Sequence, residues 1–350
     1  MDPISQAALG ASLSQSFANG SSSRKKSKQL SALFIGALAG LVPDLDVLIY
    51  SSEDPLLFLE YHRQFTHSLV FIPFGALICA LLFYLVMRSK LSGYKGSGDR
   101  LTFAQIYLFS FLGYATHGLL DACTSYGTQL FWPFSDQRFA WNTVSIIDPL
   151  FTLPVVLLVL FAAYRNKVRY ARIAFAYAVI FLSLGVVQKH RAENAVYELA
   201  LQRGHQVERV QVKPSFANRY VWKLIYEYDG RYYVDAVRML WNTEYLAGTS
   251  IQKLDVKRDY PWLPEDSQQA IDIERFRWFS DDFLAVSTQN SNLIMDVRYS
   301  YLPNRISSMW GVEVNRQLID EGKLDIHVTY EIKKGPKAET VKRFIEMVFN

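Results

Sequence analysis

The chain has 350 residues, of which 50% are hydrophobic and 20% are charged, and its net charge is +4. This composition is apolar for a soluble protein, and the length allows two domains of ordinary size. The weak net charge, without a basic stripe or a reader motif, excludes nucleic acid as an expected partner. Cys79 and Cys123 do not form a disulfide or metal spacing pattern.

Apolar segments dominate the first 190 residues. Ser68–Met87 has no charge and the length of about 20 residues that a helix needs to cross a bilayer. Leu101–Ala122 has a similar length, and three further apolar segments are shorter. Five apolar segments in series, separated by basic turns, favour a polytopic α-helical membrane domain over buried helices of a soluble domain. A sixth segment, at the N-terminus, is weakly apolar and rich in the small residues of closely packed membrane helices. The segments are Ile4–Phe17, Leu30–Val42, Ser68–Met87, Leu101–Ala122, Pro149–Tyr164 and Ala171–Val187.

The distribution of Lys and Arg predicts the orientation of these segments. Positively charged loops stay on the cytoplasmic side, while the two opposite loops carry only Arg63 and Arg138. One threading satisfies this rule, and it places residues 189–350 outside the cytoplasm. The basic loops contain Arg24, Lys25, Lys26 and Lys28, then Arg88, Lys90, Lys95 and Arg100, then Arg165, Lys167, Arg169 and Arg172.

Residues 189–350 have a mixed composition that predicts a smaller, soluble α+β domain after the mainly α membrane domain of residues 1–188. Asp229-Gly230 is a strong hairpin signal between two strands, because glycine supplies the positive φ of a tight turn. Helices are predicted at Lys189–Arg203 and Lys337–Phe349. Strands are predicted at Val207–Lys213, Tyr220–Tyr228, Arg231–Arg238, Phe283–Thr288, Leu293–Tyr301 and Leu324–Ile332.

Six polar side chains fall on the outer side of the predicted membrane domain, although the threading used only Lys and Arg. Ionisable groups at membrane depth are costly and usually functional. The alternative is a purely structural role in helix packing or capping. Imidazole and carboxylate ligands together suit zinc, manganese or iron, and ligand type alone does not choose among them. We expect one or two divalent ions, with zinc as the first choice. The six residues are Asp44, Asp46, His62, His67, His117 and Asp121.

The spacing of these residues constrains which of them can bind one ion. His117 and Asp121 are four apart and share one face of a helix. Asp44 and Asp46, if extended, point to the same side, so that one binds the ion while the other orients a histidine.

The two histidines His62 and His67 are five apart, about 140° around an ideal helix. They meet one ion only if the backbone turns between them or if one lies outside the ligand set. Arg63 could clamp an anionic substrate group or anchor the interface.

Other polar residues have simpler interpretations. Asp148 precedes Pro149 and is expected to cap a helix. The Trp132-Pro-Phe sequence resembles an interfacial aromatic anchor. The three histidines of the second domain have no ligand-like neighbours in sequence, and we interpret them as ordinary core or surface residues: His190, His205 and His327.

Five motifs occur here in an order that resembles the bacterial membrane-bound, metal-dependent hydrolases of the YdjM/YbcI type. The resemblance covers roughly residues 1–190. The motifs are Met1-Asp-Pro-Ile-Ser-Gln6, Pro43-Asp-Leu-Asp46, His62-Arg-Gln-Phe-Thr-His-Ser68, His117-Gly-Leu-Leu-Asp121 and Tyr126-Gly-Thr-Gln-Leu-Phe-Trp-Pro133.

That family is similar in turn to zinc-dependent phospholipase C and P1-type nucleases. The resemblance implies ligand roles for Asp44 or Asp46, for His62 or His67, and for the pair at 117 and 121. Many relatives have a histidine where this chain has Gln6, a poorer zinc ligand. No histidine follows Asp121 before position 190, so a trinuclear cluster is not expected.

These observations predict a metal-dependent hydrolase in a bacterial inner membrane, acting on a phosphoester of a lipid or lipid-linked compound at the outer leaflet. Asp46, His67 and Arg63 are the expected catalytic residues: a carboxylate or spare histidine accepts a proton from water, and the arginine binds phosphate. Two alternatives from other classes are a metal or proton transporter and an envelope protein in which the metal only pins helices together.

Overall fold

A computed structural model describes residues 1–18, 25–88 and 101–349. The chain forms two compact units, which we call the helical unit and the sheet unit. The helical unit comprises Met1–Leu48, Tyr61–Val187 and Phe216–Asn218, and the sheet unit comprises Ile49–Glu60, Gln188–Ser215 and Arg219–Asn350.

Local sequence signals start the helices of the helical unit. Asp2 caps α1, and Thr102 forms a capping box with Gln105 at the start of α5. Asp148 accepts hydrogen bonds from two backbone N–H groups at the start of α6, as predicted. The helices are α1 (Pro3–Ser16), α2 (Lys25–Ala39), α3 (Leu57–Tyr61), α4 (Ile72–Arg88), α5 (Phe103–Ala122), α6 (Pro149–Arg165) and α7 (Val168–Gln202). Two 3-10 helices, Val42–Leu48 and Phe65–His67, lie between them.

Three glycines bring α1, α2 and α5 into backbone contact. A Cβ atom built on Gly113 would overlap the carbonyl oxygen of Gly36, and one built on Gly10 would overlap the same oxygen. Small residues at such positions let helices approach more closely than side chains allow. The polar side chain of Ser14 also reaches across, donating a hydrogen bond to the carbonyl of Phe109 over 2.8 Å.

Two of the described helical stretches are long and apolar enough to cross a membrane, Lys28–Leu48 and Val168–Gln202. The pair Leu57–His67 and Ile72–Arg88, bent by 82°, could form a third span. Pro149–Arg165 is apolar but shorter. The six-segment threading stays a prediction. Four of the basic residues that set its orientation lie outside the described part of the chain: Arg24, Lys90, Lys95 and Arg100.

The sheet unit contains two four-stranded antiparallel sheets, ordered β1-β2-β3-β4 and β5-β6-β7-β8. The strands are β1 (Arg209–Pro214), β2 (Val221–Tyr228), β3 (Arg231–Met239), β4 (Thr243–Gln252), β5 (Leu284–Val286), β6 (Leu293–Asp296), β7 (Trp310–Glu313) and β8 (Thr329–Ile332). The remaining helices are α8 (Val256–Asp259), α9 (Gln268–Phe279), α10 (Arg316–Asp320) and α11 (Ala338–Phe349).

The first sheet is covered on both faces. Trp222 and Leu224 of β2 pack against Ala192 and Val196 of α7. The neighbouring Ile225, on the opposite face, belongs to a cluster shared with the second sheet. Alternation along one strand therefore builds two hydrophobic cores.

The predicted hairpin is confirmed, with Tyr228 paired to Arg231 across the two-residue turn. The helix predicted at 189–203 is instead the end of α7, which runs without a break from Val168 to Gln202. The predicted strands at 293–301 and 324–332 are shorter in the structure, as β6 and β8 show. Two long elements were not predicted, β4 and α9.

Arg275 fixes the segment 49–60 within the sheet unit. Its guanidinium donates to both carboxylate oxygens of Asp54, at 3.0 and 2.7 Å, and to Glu60 at 2.6 Å. Leu56 and Leu59 of the same segment are buried. This segment joins Asp46 to His62 in the sequence, so the part of the chain between two candidate site motifs folds with the sheet unit.

A pair of buried lysines lies side by side on the first sheet. Lys213 and Lys223 are direct cross-strand partners. Lys223 Nζ donates to Ser300 Oγ and to the Arg305 carbonyl, each over 2.8 Å, while Lys213 Nζ lies 3.1 Å from the ring centroid of Tyr299. Burial lowers the pKa of Lys223 to about 7, because desolvation disfavours the charged amine.

We expect Gly113→Ala to lower the free energy of unfolding by about 1–3 kcal/mol, the usual cost of overpacking. The added methyl group has no room against the Gly36 backbone. Thermal unfolding in detergent measures the change. Gly335→Ala is the matched control, since a Cβ atom added at Gly335 would meet no heavy atom within 4 Å. Equal midpoints for the two variants would contradict the close helix contact.

We expect Lys223→Met to flatten the pH dependence of stability. The folded pKa of Lys223 is about 7, and an unfolded lysine titrates near 10.4. Between these values the unfolded chain binds the extra proton, so stability rises with pH in this window. Removing the amine makes the rise shallower. Denaturant unfolding from pH 7 to 9 tests this, with the exposed Lys342→Met as control. An unchanged slope contradicts the assignment.

Candidate metal centre

Three stretches of the helical unit bring the predicted residues together. Asp44 and Asp46 lie on the 3-10 helix Val42–Leu48, so the expectation of an extended chain at this point was wrong. His67 ends the second 3-10 helix, and His117 lies one turn before Asp121 on α5. Residues two apart on a 3-10 helix point in different directions, so the two aspartates contact different partners although their carboxylate oxygens lie within 4.8 Å of one another.

Four side-chain atoms converge on one point. His117 Nε2 lies 3.0 Å from His67 Nε2 and 3.2 Å from Asp44 Oδ1. His67 Nε2 lies 3.5 Å from Asp44 Oδ1 and 3.3 Å from Asp121 Oδ2, and His117 Nε2 lies 3.7 Å from the same Asp121 oxygen. Four ligands about 2.0–2.1 Å from a tetrahedral zinc are about 3.3 Å apart. The spacing of the donors therefore fits one divalent ion.

Hydrogen bonds on the other ring nitrogens determine the tautomers of both histidines. His117 Nδ1 lies 2.6 Å from the carbonyl oxygen of Gly40, which can only accept. His67 Nδ1 lies 3.2 Å from Asp46 Oδ2 and 2.9 Å from Thr66 Oγ1. Each neutral ring then carries its proton on Nδ1 and presents the Nε2 lone pair to the cluster. Two lone pairs and two carboxylate oxygens repel one another, and a cation between them removes that repulsion.

Asp46 contacts the cluster through the Nδ1 side of His67, away from the four converging atoms. Its Oδ2 accepts hydrogen bonds from the Arg63 backbone N–H and from Thr66 Oγ1, each over 2.9 Å. Its Oδ1 lies 2.7 Å from His62 Nδ1. Asp44, Asp46 and His62 form a second group whose ligand atoms all lie within 4.8 Å of one another.

The backbone turns between the two histidines of the His62–Ser68 motif. Arg63 adopts a φ of 66°, in the left-handed region. This turn sends His67 into the group of four and leaves His62 beside Asp46, with ring centroids of the two histidines 6.0 Å apart. Thus the spacing of five allows separate roles for the two rings.

Buried donors surround Asp121. Arg63 Nε lies 2.9 Å from Asp121 Oδ2, and its NH1 group donates to Thr124 Oγ1 over 3.1 Å. Gln6 donates to Asp121 Oδ1 over 2.7 Å, and the terminal amine of Met1 also contacts this oxygen. The side chain of Asp121 is fully buried, so these donors offset the cost of removing a carboxylate from water.

The group is accessible from one side. Asp44 is 29% exposed and His62 is 19% exposed, whereas His67, His117 and Asp121 are fully buried. Next to Asp44 in the chain, large apolar side chains are exposed: Leu45, Val47 and Leu48. The partly exposed ligand Asp44 thus has exposed apolar neighbours in the sequence.

The three histidines interpreted as ordinary core or surface residues each have a partner of their own. In the sheet unit, His190 contacts Glu193, His205 contacts Tyr226 and His327 contacts Asp272. Two supporting groups escaped the sequence analysis. Thr66 lies inside the histidine motif and could have been suspected from its neighbours, but the carbonyl of Gly40 leaves no signal in a sequence.

The helical unit combines candidate membrane spans with a largely buried cluster of two histidines and two carboxylates, features of a membrane protein with a candidate metal centre. Residues 1–192 match the profile of the family described as YdjM inner membrane protein. This match covers more than half of the chain, so the protein belongs to that family, as the sequence motifs indicate.

Two relatives share part of this region. The chain is 30% identical over 118 residues to the inner membrane protein YbcI of Escherichia coli (strain K12), covering 33% of this chain and 61% of that protein. It is 28% identical over 119 residues to YfhP of Bacillus subtilis (strain 168), covering 34% and 33%. The matched part is therefore less than two thirds of either relative. No solved structure matches the chain.

We expect purified wild-type protein to bind a divalent metal near-stoichiometrically and the double variant His117→Ala/Asp121→Ala to lose it. The variant removes two of the four converging atoms. Inductively coupled plasma mass spectrometry measures the content after incubation with zinc, manganese or iron. The control is His190→Ala/Glu193→Ala, an exposed histidine–carboxylate pair on α7. Equal metal content in both double variants would place the ion elsewhere.

Proposed function

We propose that the helical unit is a metal-dependent hydrolase that cleaves a phosphoester of a membrane lipid or lipid-linked compound. The observation that carries the proposal is the convergence of two imidazole Nε2 atoms and two carboxylate oxygens. Each distance between a histidine nitrogen and another member is 3.0–3.7 Å, and all four atoms lie within 4.8 Å of one another. Asp44, His67, His117 and Asp121 would hold the ion. Zinc suits this donor set best, and manganese or iron accept the same ligand types.

A divalent ion in this position supplies Lewis-acid chemistry, polarising a phosphoryl oxygen and making water more acidic. The second group of Asp44, Asp46 and His62 offers ligands for a second ion, as an alternative to the proton-transfer role given to His62 below.

We assign the proton transfer to the Asp46–His62 pair. Asp46 is buried and accepts several hydrogen bonds, so its role is to orient His62 and His67. His62 is partly exposed on the open side, where it can take a proton from an attacking water while Asp46 stabilises the resulting imidazolium. His67 then acts as a ligand.

Arg63 has a different role in this proposal from the one its sequence context suggests. Its guanidinium lies against Asp121 and Thr124 and 4.9 Å from the ring centroid of Tyr126. With these partners it would hold Asp121 in the ligand position rather than bind the substrate phosphate.

The substrate class follows from the open side of the cluster. The exposed Leu45, Val47 and Leu48 border Asp44, and apolar side chains there suit acyl or polyprenyl chains. A lipid phosphoester that approaches beside these three residues would present its phosphate to the ion and its hydrocarbon chain to the apolar side chains. The chain belongs to a family described as inner membrane proteins, and this supports a membrane lipid as the substrate.

For the location, we propose a multi-pass inner-membrane protein with the site and the sheet unit on the extracytoplasmic side. Four basic residues lie at or near the turn between α6 and α7: Arg165 ends α6, Lys167 lies in the turn, and Arg169 and Arg172 lie at the start of α7. Basic turns of this kind stay in the cytoplasm.

We expect metal-loaded protein in nanodiscs to hydrolyse at least one member of a phospholipid and lipid-phosphate panel. We expect Asp46→Asn to reduce the rate about 10–100-fold, the usual effect of losing a group that orients a metal-bound histidine. Mass spectrometry of the lipid products measures turnover. Asp136→Asn, an exposed aspartate of the helical unit, is the matched control.

Two outcomes would overturn the hydrolase assignment. Metal flux in proteoliposomes without turnover indicates a transporter. A large fall in the unfolding temperature on chelation, without turnover on any substrate, indicates a structural ion. The latter alternative draws on the complete burial of His67, His117 and Asp121.

A further inference from the structure

The turn between β3 and β4 exposes two large apolar side chains. Leu240 is 45% exposed and Trp241 is 98% exposed. Single exposed leucines are ordinary on protein surfaces. Tryptophan is the largest apolar side chain, and at 98% exposure the indole ring of Trp241 makes almost no contact with the rest of the protein. A single exposed apolar side chain is not by itself evidence of an interaction surface, so the position of this turn in the fold decides what the exposure means.

Contacts within the sheet unit fix this turn beside one short stretch of α7. Gln188 Nε2 donates to the carbonyl of Met239 over 3.3 Å, and Arg191 NH2 donates to the carbonyl of Leu240 over 3.4 Å. The Arg191 NH1 group also donates to Gln188 Oε1 over 2.6 Å. The turn therefore lies at the level of residues 188–191 of the helix.

That level is where the apolar part of α7 ends. The helix qualifies as a membrane span by length and composition, and its apolar run from Ile173 ends at Val187. Large apolar side chains before this point are exposed, as expected of a surface that faces lipid: Val179, Ile180, Leu184 and Val187. Polar residues begin at once with Gln188 and Lys189, so a bilayer that contains the apolar run has its surface here.

We propose that Leu240 and Trp241 insert into the headgroup boundary of the same bilayer that α7 spans. The indole ring combines an apolar body with one N–H donor, and tryptophan is enriched at this depth for that reason. The cationic Lys189 and Arg191 beside the turn favour anionic headgroups. The bilayer is the occupant because α7 itself enters it at the level to which the turn is tied.

This inference rests on the proposal that α7 spans the membrane, and it is independent of hydrolysis. The surface would anchor the sheet unit to the membrane through a contact separate from the helix itself.

The test places a fluorescent NBD group at position 241 of the full-length protein through Trp241→Cys, in nanodiscs that contain anionic lipid. Cys79 and Cys123 are both buried, and wild-type protein treated with the reagent corrects for their reaction. Lys257→Cys is the aqueous control, because the Lys257 side chain is 85% exposed and follows β4 at the opposite end of the sheet. Val179→Cys on α7 is the control for lipid contact.

We expect the label at 241 to emit at shorter wavelength than the label at 257, to be quenched by headgroup nitroxide lipid and to resist aqueous iodide. Iodide quenching equal to that at 257, without quenching by lipid, would show a free loop and overturn the proposal. Protection from both quenchers would show a protein contact and overturn it too. Absence of lipid quenching at 179 would instead refute the span, and the inference with it, while leaving the metal chemistry standing.

Discussion

The helical unit holds four ligand atoms close together: one nitrogen each from His67 and His117, and one oxygen each from Asp44 and Asp121. All of these side chains except Asp44 are fully buried. His67 and His117 carry their protons on the far side of each ring, toward Asp46 and the Gly40 carbonyl. Their lone pairs therefore face each other and two carboxylates. Burying a carboxylate without a partner costs several kcal/mol, and a divalent ion held by the four atoms would offset part of that cost. The Arg63 guanidinium balances part of the negative charge of Asp121. The space between the four ligand atoms suits a divalent ion, which would balance the remaining charge.

The surrounding elements are arranged to hold those atoms at fixed separations. Gly118 lies against the carbonyl oxygen of His67, where a Cβ atom would overlap it, so α5 meets the histidine backbone directly. The contact among Gly10, Gly36 and Gly113 fixes α5 against α1 and α2 in the same way. Backbone contacts leave few alternative packings, because no flexible side chain can take up a change. Rigidity of this kind preorganises a ligand set.

The sequence predicted which residues form the cluster, but it did not predict which of them contact one another. The charge pattern and the motifs brought six residues to one side, and the structure places His117 and Asp121 on the common helix face that their spacing predicts. The separate roles of Asp44 and Asp46 depend on the 3-10 helix Val42–Leu48. The Pro-Asp-Leu-Asp sequence does not predict that helix. In the sheet unit, the Asp229-Gly230 hairpin was evident.

Two elements of the sheet unit were missed because local sequence signals there were weak. Strand β4 is largely exposed and contains Gly248, which packs against the Val234 carbonyl, so long-range pairing rather than local pattern specifies it. Helix α9 has little amphipathic pattern, since Asp272 and Gln269 are buried through hydrogen bonds to His327 and Asn315. Polar burial of this kind is decided by partners far away in the sequence.

The anchoring of residues 49–60 by Arg275 has a consequence for the order of synthesis. The arginine is 215 residues after Glu60 and 221 after Asp54. At about 5–20 residues per second, the ribosome needs roughly 10–40 seconds to supply it. During that interval Leu56 and Leu59, which are buried in the finished protein, have none of their late partners. A nascent chain of this protein therefore displays a short apolar segment next to its histidine motif until the part of the chain around Arg275 has been synthesised.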